Sequence, residues 1–179
     1  LSSPGVSVTV IDESFYTPAA PGTVPLLIVA SQANKMNSAG TGTAPGTLEM
    51  NAGKVYLLTS QKDLSDNFGV PKFYTDANNN PIHAGEQNEY GLQAAYSLLG
   101  VSSKAYVVRA DLDLGQLTAL GSIPEGLPVS GTYWVDSNDS SYGVKEWDAV
   151  NKGFIIKQPL IIDNDNKDVE ADFDDMEYV

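Results

Sequence analysis

Three short apolar runs, each cut off by a Gly, Pro or polar cluster, set the limits of what this chain can fold into. They are Leu-Leu-Ile-Val-Ala at 26–30, Lys-Val-Tyr-Leu-Leu-Thr at 54–59 and Ala-Tyr-Val-Val-Arg-Ala at 105–110. Runs of this length, rich in β-branched and aromatic residues, suit strands buried in a sheet and are too short for core helices. Two helical patterns separate the second run from the third. Ser60-Gln61-Lys62-Asp63 has the spacing of a capping box, in which hydroxyl and carboxylate satisfy opposed backbone amides at a helix start. Leu64 and Phe68 then fall one turn apart, and Gly69 with Pro71 ends the helix. Leu92, Ala95, Tyr96 and Leu99 stand at i, i+3, i+4 and i+7, one apolar stripe, with Gly100 placed as its stop. Residues 24–110 therefore read strand, loop, strand, helix, loop, helix, strand, which predicts a mixed sheet with helices over one face.

The flanks have a different texture. Val6, Val8 and Val10 alternate with Ser7 and Thr9, the period of a strand, and Pro18, Pro21 and Pro25 break the chain after it. Such a strand has no sequence-local hairpin partner, and two readings stay open: pairing elsewhere in its own sheet, or addition to the edge of a neighbour's. On the C-terminal side, residues 117–128 read as a connector containing Gly and Pro. Residues 131–135 and 142–147 read as two short aromatic strands around a turn at 137–141. Residues 154–156 and 160–162 add apolar pieces broken by Pro159. The expected class is α+β: a mixed sheet with helices on one face, preceded by an extended strand arm and followed by a smaller β-rich domain. The expected boundaries are 1–23 for the arm and hinge, 24–116 for the α+β domain, and 117–179 for the start of an inserted β-rich domain with an acidic C-terminal stretch.

Charge narrows the partners. With 23 acidic against 10 basic residues the formal charge is -13, and phosphate backbones reward clustered cations, so nucleic acid is an unfavourable ligand. Anionic lipid would repel the chain equally. Residues 163–177 alone hold eight carboxylates and one lysine, Lys167, a composition that reads as a solvated linker or tail. Cysteine is absent, which removes disulfides, thiol catalysis and Cys-based metal sites. The N-terminus lacks the positive start and sustained apolar run of a signal peptide, and the run at 24–30 is too short to span a bilayer. A chain that starts at Leu1 is expected to begin inside its gene product.

No constellation points to catalysis, and the expectation is a protein that is not an enzyme and takes no cofactor. Gly40, Gly42 and Gly46 are spaced G-x-G-x-x-x-G, one residue off a dinucleotide loop, and no helix pattern follows directly. Gly53-Lys54 is followed by Val55 where a P-loop needs Ser or Thr. His83 is the single histidine and lies in an Asn-rich turn, with no second His or Cys to share a metal. Asp76, Asn78 and Asn80 have the odd-position spacing of a calcium loop, but Pro81 takes the place of its glycine and Gln87 that of its glutamate. Asp163-Asn164-Asp165 fails the same test at Asp168. The pairs Asp111/Asp113 and Asp136/Asp139 are of a kind common in any acidic protein.

Four segments, in order, resemble one family. SPGVSVTVID at 3–12 is similar to the opening of contractile-tail sheath proteins. LTSQKDLSDNFGVP at 58–71 resembles that family's strand and short helix with Asp-Leu, followed by Phe-Gly-x-Pro. NEYGLQAAYSLLGVSSKAYVVRAD at 88–111 resembles its helix and the strand ending Val-Val-Arg-Ala. GTYWVDSNDSSYGVKEWDA at 131–149 looks like a segment found in sheaths of some large tailed phages. Family members generally continue into a further C-terminal domain, so this chain is expected to be an N-terminal portion.

The resemblance implies a subunit of stacked hexameric rings around a rigid tube, assembled in the host cytoplasm and carried in the virion tail. Its partners would be neighbouring sheath subunits and, through the further domain, tube and baseplate proteins, with no nucleic acid and no membrane. Links between such subunits must survive a large rearrangement, for which main-chain pairing at a sheet edge is suited. On that reading Val6, Ser7, Val8, Thr9 and Val10 form an intersubunit arm strand, and Pro18, Pro21 and Pro25 its hinge. Two alternatives stand beside it: the sheath of a related bacteriocin or secretion apparatus, and a small-ligand-binding α/β domain.

Overall fold

Burial of one sheet face against two helices organises the first part of the chain. The structure is a computed structural model that describes residues 23–160; the arm strand at 6–10, Pro18, Pro21 and the acidic run at 163–177 lie outside the described residues. Strand β1 (Leu26–Ser31) pairs parallel with β3 (Ala105–Asp113), and β2 (Val55–Leu58) pairs antiparallel with the other edge of β3. The register sets Leu27 and Tyr56 each opposite Val107, so all three side chains share one face. That face also carries Val29, Leu58 and Ala105, and it is closed by Leu64 and Phe68 from α1 (Gln61–Phe68) and by Leu92, Ala95 and Leu99 from α2 (Tyr90–Leu99). The expected helical stripe is thus the buried one, with Tyr96 only partly covered at its margin.

The caps follow the sequence with one difference. Ser60 takes the N-cap of α1 and its hydroxyl accepts from the Asp63 amide at 3.1 Å. The return bond of the box goes one residue further back: the Asp63 carboxylate accepts from the amide of Thr59, also at 3.1 Å, and from its hydroxyl. Gly69, at φ +70°, ends α1 in a conformation that L side chains resist, and a Cβ there would stand 2.7 Å from the Met36 carbonyl oxygen.

Strand β3 runs three residues beyond its expected end, through Asp113, because Asp113 pairs with Ser31 past an irregularity in β1. A short turn at Leu114–Gln116 then leads into β4 (Leu117–Leu120). The stretch expected to be a plain connector therefore starts with a strand. β4 pairs parallel with β5 (Tyr133–Asp136), which pairs antiparallel with β6 (Val144–Asp148), which pairs antiparallel with β7 (Gly153–Ile156). The two aromatic strands form the expected hairpin. Phe154 stacks edge-to-face with both Trp134 and Trp147, at centroid distances of 5.5 and 5.3 Å. A small core of Leu114, Leu117 and Tyr133 packs against Ala30 and Leu112 from β1 and β3. The described residues are α+β: a three-stranded and a four-stranded mixed sheet with two helices, and the second, smaller part is β-rich.

Candidate functional site

The most demanding group in the fold is Arg109, at the end of the Val-Val-Arg-Ala run. β3 alternation aims it to the helix side of the sheet, where it is 2% exposed. Its guanidinium meets carbonyls in place of a carboxylate. Nε donates to Gly46 at 3.2 Å, one terminal nitrogen to Leu48 at 2.9 Å and Glu49 at 3.4 Å, and the other to Leu112 at 3.2 Å and Ala110 at 3.5 Å. Burial pushes this guanidinium below its ordinary pKa, and the charges of Asp111, Asp113 and Glu49 pull it back. A planar fork can satisfy several carbonyls at once where an ammonium cannot. The result fastens the loop after β1 to the central strand.

Gly46, in the loop weighed as a phosphate cradle, has a packing role instead. A Cβ there would lie 2.8 Å from two ring atoms of Phe68 and 2.9 Å from the Asn67 carbonyl oxygen. The loop is held against α1 by that close approach, and its amide Thr47 donates to Ala44 at 3.0 Å, within the loop itself.

A second buried charge stands at the start of α2. Glu89 is fully buried and accepts the Gln32 amide at 2.8 Å on one carboxylate oxygen. Its other oxygen accepts the Lys72 amide at 2.7 Å and the Lys35 ammonium at 2.5 Å. Burial draws the Lys35 pKa below its ordinary value, and the bond and charge of Glu89 act in the opposite direction. Beside it Asn88 accepts the Tyr74 amide at 2.9 Å and donates to the Ile82 carbonyl at 2.6 Å. This cluster holds the segment between the helices against the C-terminal end of β1. The sequence reading did not single out Glu89 or Lys35; the only signal was a carboxylate directly before an apolar helix.

The residues weighed for chemistry are accounted for by turns. His83 is exposed. The Asp76 carboxylate accepts the amides of Asn78 and Asn80, both at 2.8 Å, which holds its pKa below the usual carboxylate range and turns it inward on its own loop. Asp113 accepts the amides of Ala33 and Gly115, at 3.0 and 2.9 Å, while Asp111 pairs with Lys157 at 2.9 Å. Asp136 and Asp139 cap the turn before β6. Among the described residues no group of three His, Cys, Asp or Glu is arranged to hold a metal, and no helix is long and apolar enough to cross a membrane.

What the fold leaves available is surface. The face of the first sheet away from the helices exposes Leu26 by 49%, Ile28 by 70% and Leu57 by 51%. Strands β1 and β2 form the two edges of that sheet, and neither pairs with a further strand among the described residues. Of the expected hinge prolines only Pro25 is described; its carbonyl accepts the Tyr106 amide at 2.8 Å and so starts the β1 ladder. Next to the open face is a cleft of about 440 Å³ bounded by β3 and by residues 157–160. Comparison of the chain with protein-family models, with curated proteins and with solved structures finds no match.

Proposed function

We propose that this chain is the N-terminal portion of a contractile-tail sheath subunit, a structural protein that polymerises into stacked hexameric rings around a tail tube and repacks to drive the tube through a host envelope. The observation that carries the reading is the order and content of the four resembling segments. Two of them, 58–71 and 88–111, contribute the last residue of β2, all of α1 and α2 and most of β3, so the resemblance falls on elements that share one core.

The shape of the first sheet supports the same reading. β1 is an edge strand of six uncharged residues, Leu-Leu-Ile-Val-Ala-Ser, without the charged side chains or internal proline that monomeric proteins use to blunt an edge. Such an edge is suited to receiving a strand from another subunit. We assign the donor role to Val6, Ser7, Val8, Thr9 and Val10, with Pro18 and Pro21 as the hinge and Pro25, whose carbonyl accepts the Tyr106 amide at 2.8 Å, as the point where the hinge meets the body. The buried Arg109 and Glu89 clusters would keep the body rigid while the hinge absorbs rotation.

Immunogold labelling of contractile particles from a strain that carries the gene tests the assignment. Label is expected along the whole length of the tail, spaced as the rings are. Label confined to the capsid, the baseplate or the fibres would contradict it.

A further inference from the structure

A second cleft, of about 560 Å³, opens between the loop after β1 and the segment after α1, where Gln32, Lys35, Met36, Val70, Lys72 and Phe73 line it. The Lys35 side chain is 9% exposed, and its ammonium is held by the fully buried Glu89 at 2.5 Å. Its stem passes Gly69 so closely that a Cβ there would stand 3.1 Å from Lys35 Cε. Lys72 is placed differently. Its ammonium meets neutral groups, the Gln32 amide oxygen at 3.3 Å and the Tyr74 ring at 4.7 Å from the centroid. Among the described residues it has no carboxylate partner. The two lysines are near enough for the charge of Lys72 to act, after burial, in lowering the Lys35 pKa. Asp66, bonded to Ser38 at the rim, is already paired with Lys62. Two cations and one carboxylate therefore leave one positive charge over.

The walls around that charge are apolar and wet: Met36 is 62% exposed, Val70 63% and Phe73 41%. A concave site with apolar walls and a few converging polar groups suits a small ligand, and the surplus charge sets the ligand's sign. One negative charge balances the two lysines and Glu89, whereas a phosphate dianion would leave charge unmatched beside Glu89. We propose that this cleft binds a monocarboxylate with a small apolar body, the carboxylate on Lys72 beside the Lys35–Glu89 pair and the body against Met36, Val70 and Phe73. Such a group arrives either as a free small acid or as an acidic side chain next to an aromatic residue in a peptide. The site needs nothing from a neighbouring subunit and is independent of what the chain assembles into.

Amide NMR titrations of the full chain test this with four probes: phenylacetate, 2-phenylethanol, inorganic phosphate, and the capped dipeptide N-acetyl-Asp-Phe-amide. Phenylacetate is expected to shift the amides of residues 35–38 and 70–73 saturably, with a dissociation constant of about 1 mM or below. 2-Phenylethanol, which has the same ring and no charge, and phosphate, which has charge and no body, should each bind at least tenfold more weakly. Lys72 is exposed, so Lys72→Gln is expected to fold and to weaken phenylacetate at least tenfold, while Lys72→Arg retains it. Tighter binding of the dipeptide assigns the carboxylate to an acidic peptide, tighter binding of phenylacetate to a free acid, and either upholds the site. Equal binding of 2-phenylethanol, preference for phosphate, shifts spread over the whole chain, or an affinity that Lys72→Gln leaves unchanged would overturn the proposal. The comparison of probes on the native chain needs no variant, so a misfolded substitution cannot decide the outcome.

Discussion

Arg109 Nε donates to the carbonyl oxygen of Gly46 at 3.2 Å, joining the central strand to a loop 63 residues earlier in the chain. The bond has meaning only with its companions, because the same side chain serves Leu48, Glu49, Ala110 and Leu112. A buried cation is costly unless its donors are all used, and here backbone carbonyls use them.

Arg109→Lys keeps the charge and loses the fork. It is expected to lower stability by about 2–4 kcal/mol, since an ammonium cannot reach both sides of the carbonyl cluster. Arg109→Met is expected to cost at least as much despite its apolar character, because the carbonyls are then left without a donor. Urea unfolding followed by tryptophan emission measures both.

Glu89→Gln is expected to destabilise by about 3–5 kcal/mol, the range for removing one partner of a buried ion pair. Adding Lys35→Met should recover part of the loss, because the stranded ammonium goes with it. A double variant that is worse than the sum of the two singles would contradict the pairing.

Gly46→Ala places a methyl group against the Phe68 ring and the Asn67 carbonyl, contacts of 2.8 and 2.9 Å that must relax. A loss of about 1–3 kcal/mol is expected, the usual cost of overpacking a tight site. Gly42→Ala, where a Cβ would meet nothing within 4 Å, is the matched control and should be close to neutral.

Asp63 supplies a pH dependence with a definite sign. Hydrogen bonds from the Thr59 hydroxyl and amide hold its carboxyl below the ordinary value of 3.8. Its contribution to stability is therefore fully present above that value and is lost as pH falls through the lower folded value. The stability gap between the native chain and Asp63→Asn should be constant near neutrality and close on acidification. Urea midpoints across the acid range check this, and a gap that widens in acid would contradict it.

Periodicity and punctuation made the first sheet and its helices legible: the stripe at 92–99 became the buried face of α2, and the Ser60 cap and Gly69 stop bound α1. The same clues placed the aromatic hairpin, whose register sets Tyr133 opposite Glu146. β4 was missed because Leu117–Leu120 is a four-residue parallel edge whose partner, Tyr133–Asp136, lies beyond a Gly- and Pro-containing loop. Strand preference at such an edge comes from the partner more than from the residues. The end of β3 was missed for a related reason, since Asp111 and Asp113 look like loop residues until Ser31 and Lys157 are beside them. The buried Glu89 was illegible because Gln32, Lys35 and Lys72 meet it only in three dimensions.

The sheath assignment is tested most directly by electron microscopy of the full-length gene product expressed alone. Tubes or stacked six-fold rings are the predicted result, and deleting residues 1–23 should abolish the connection between rings. A full-length product that remains a soluble monomer at every salt concentration tried would contradict the assignment.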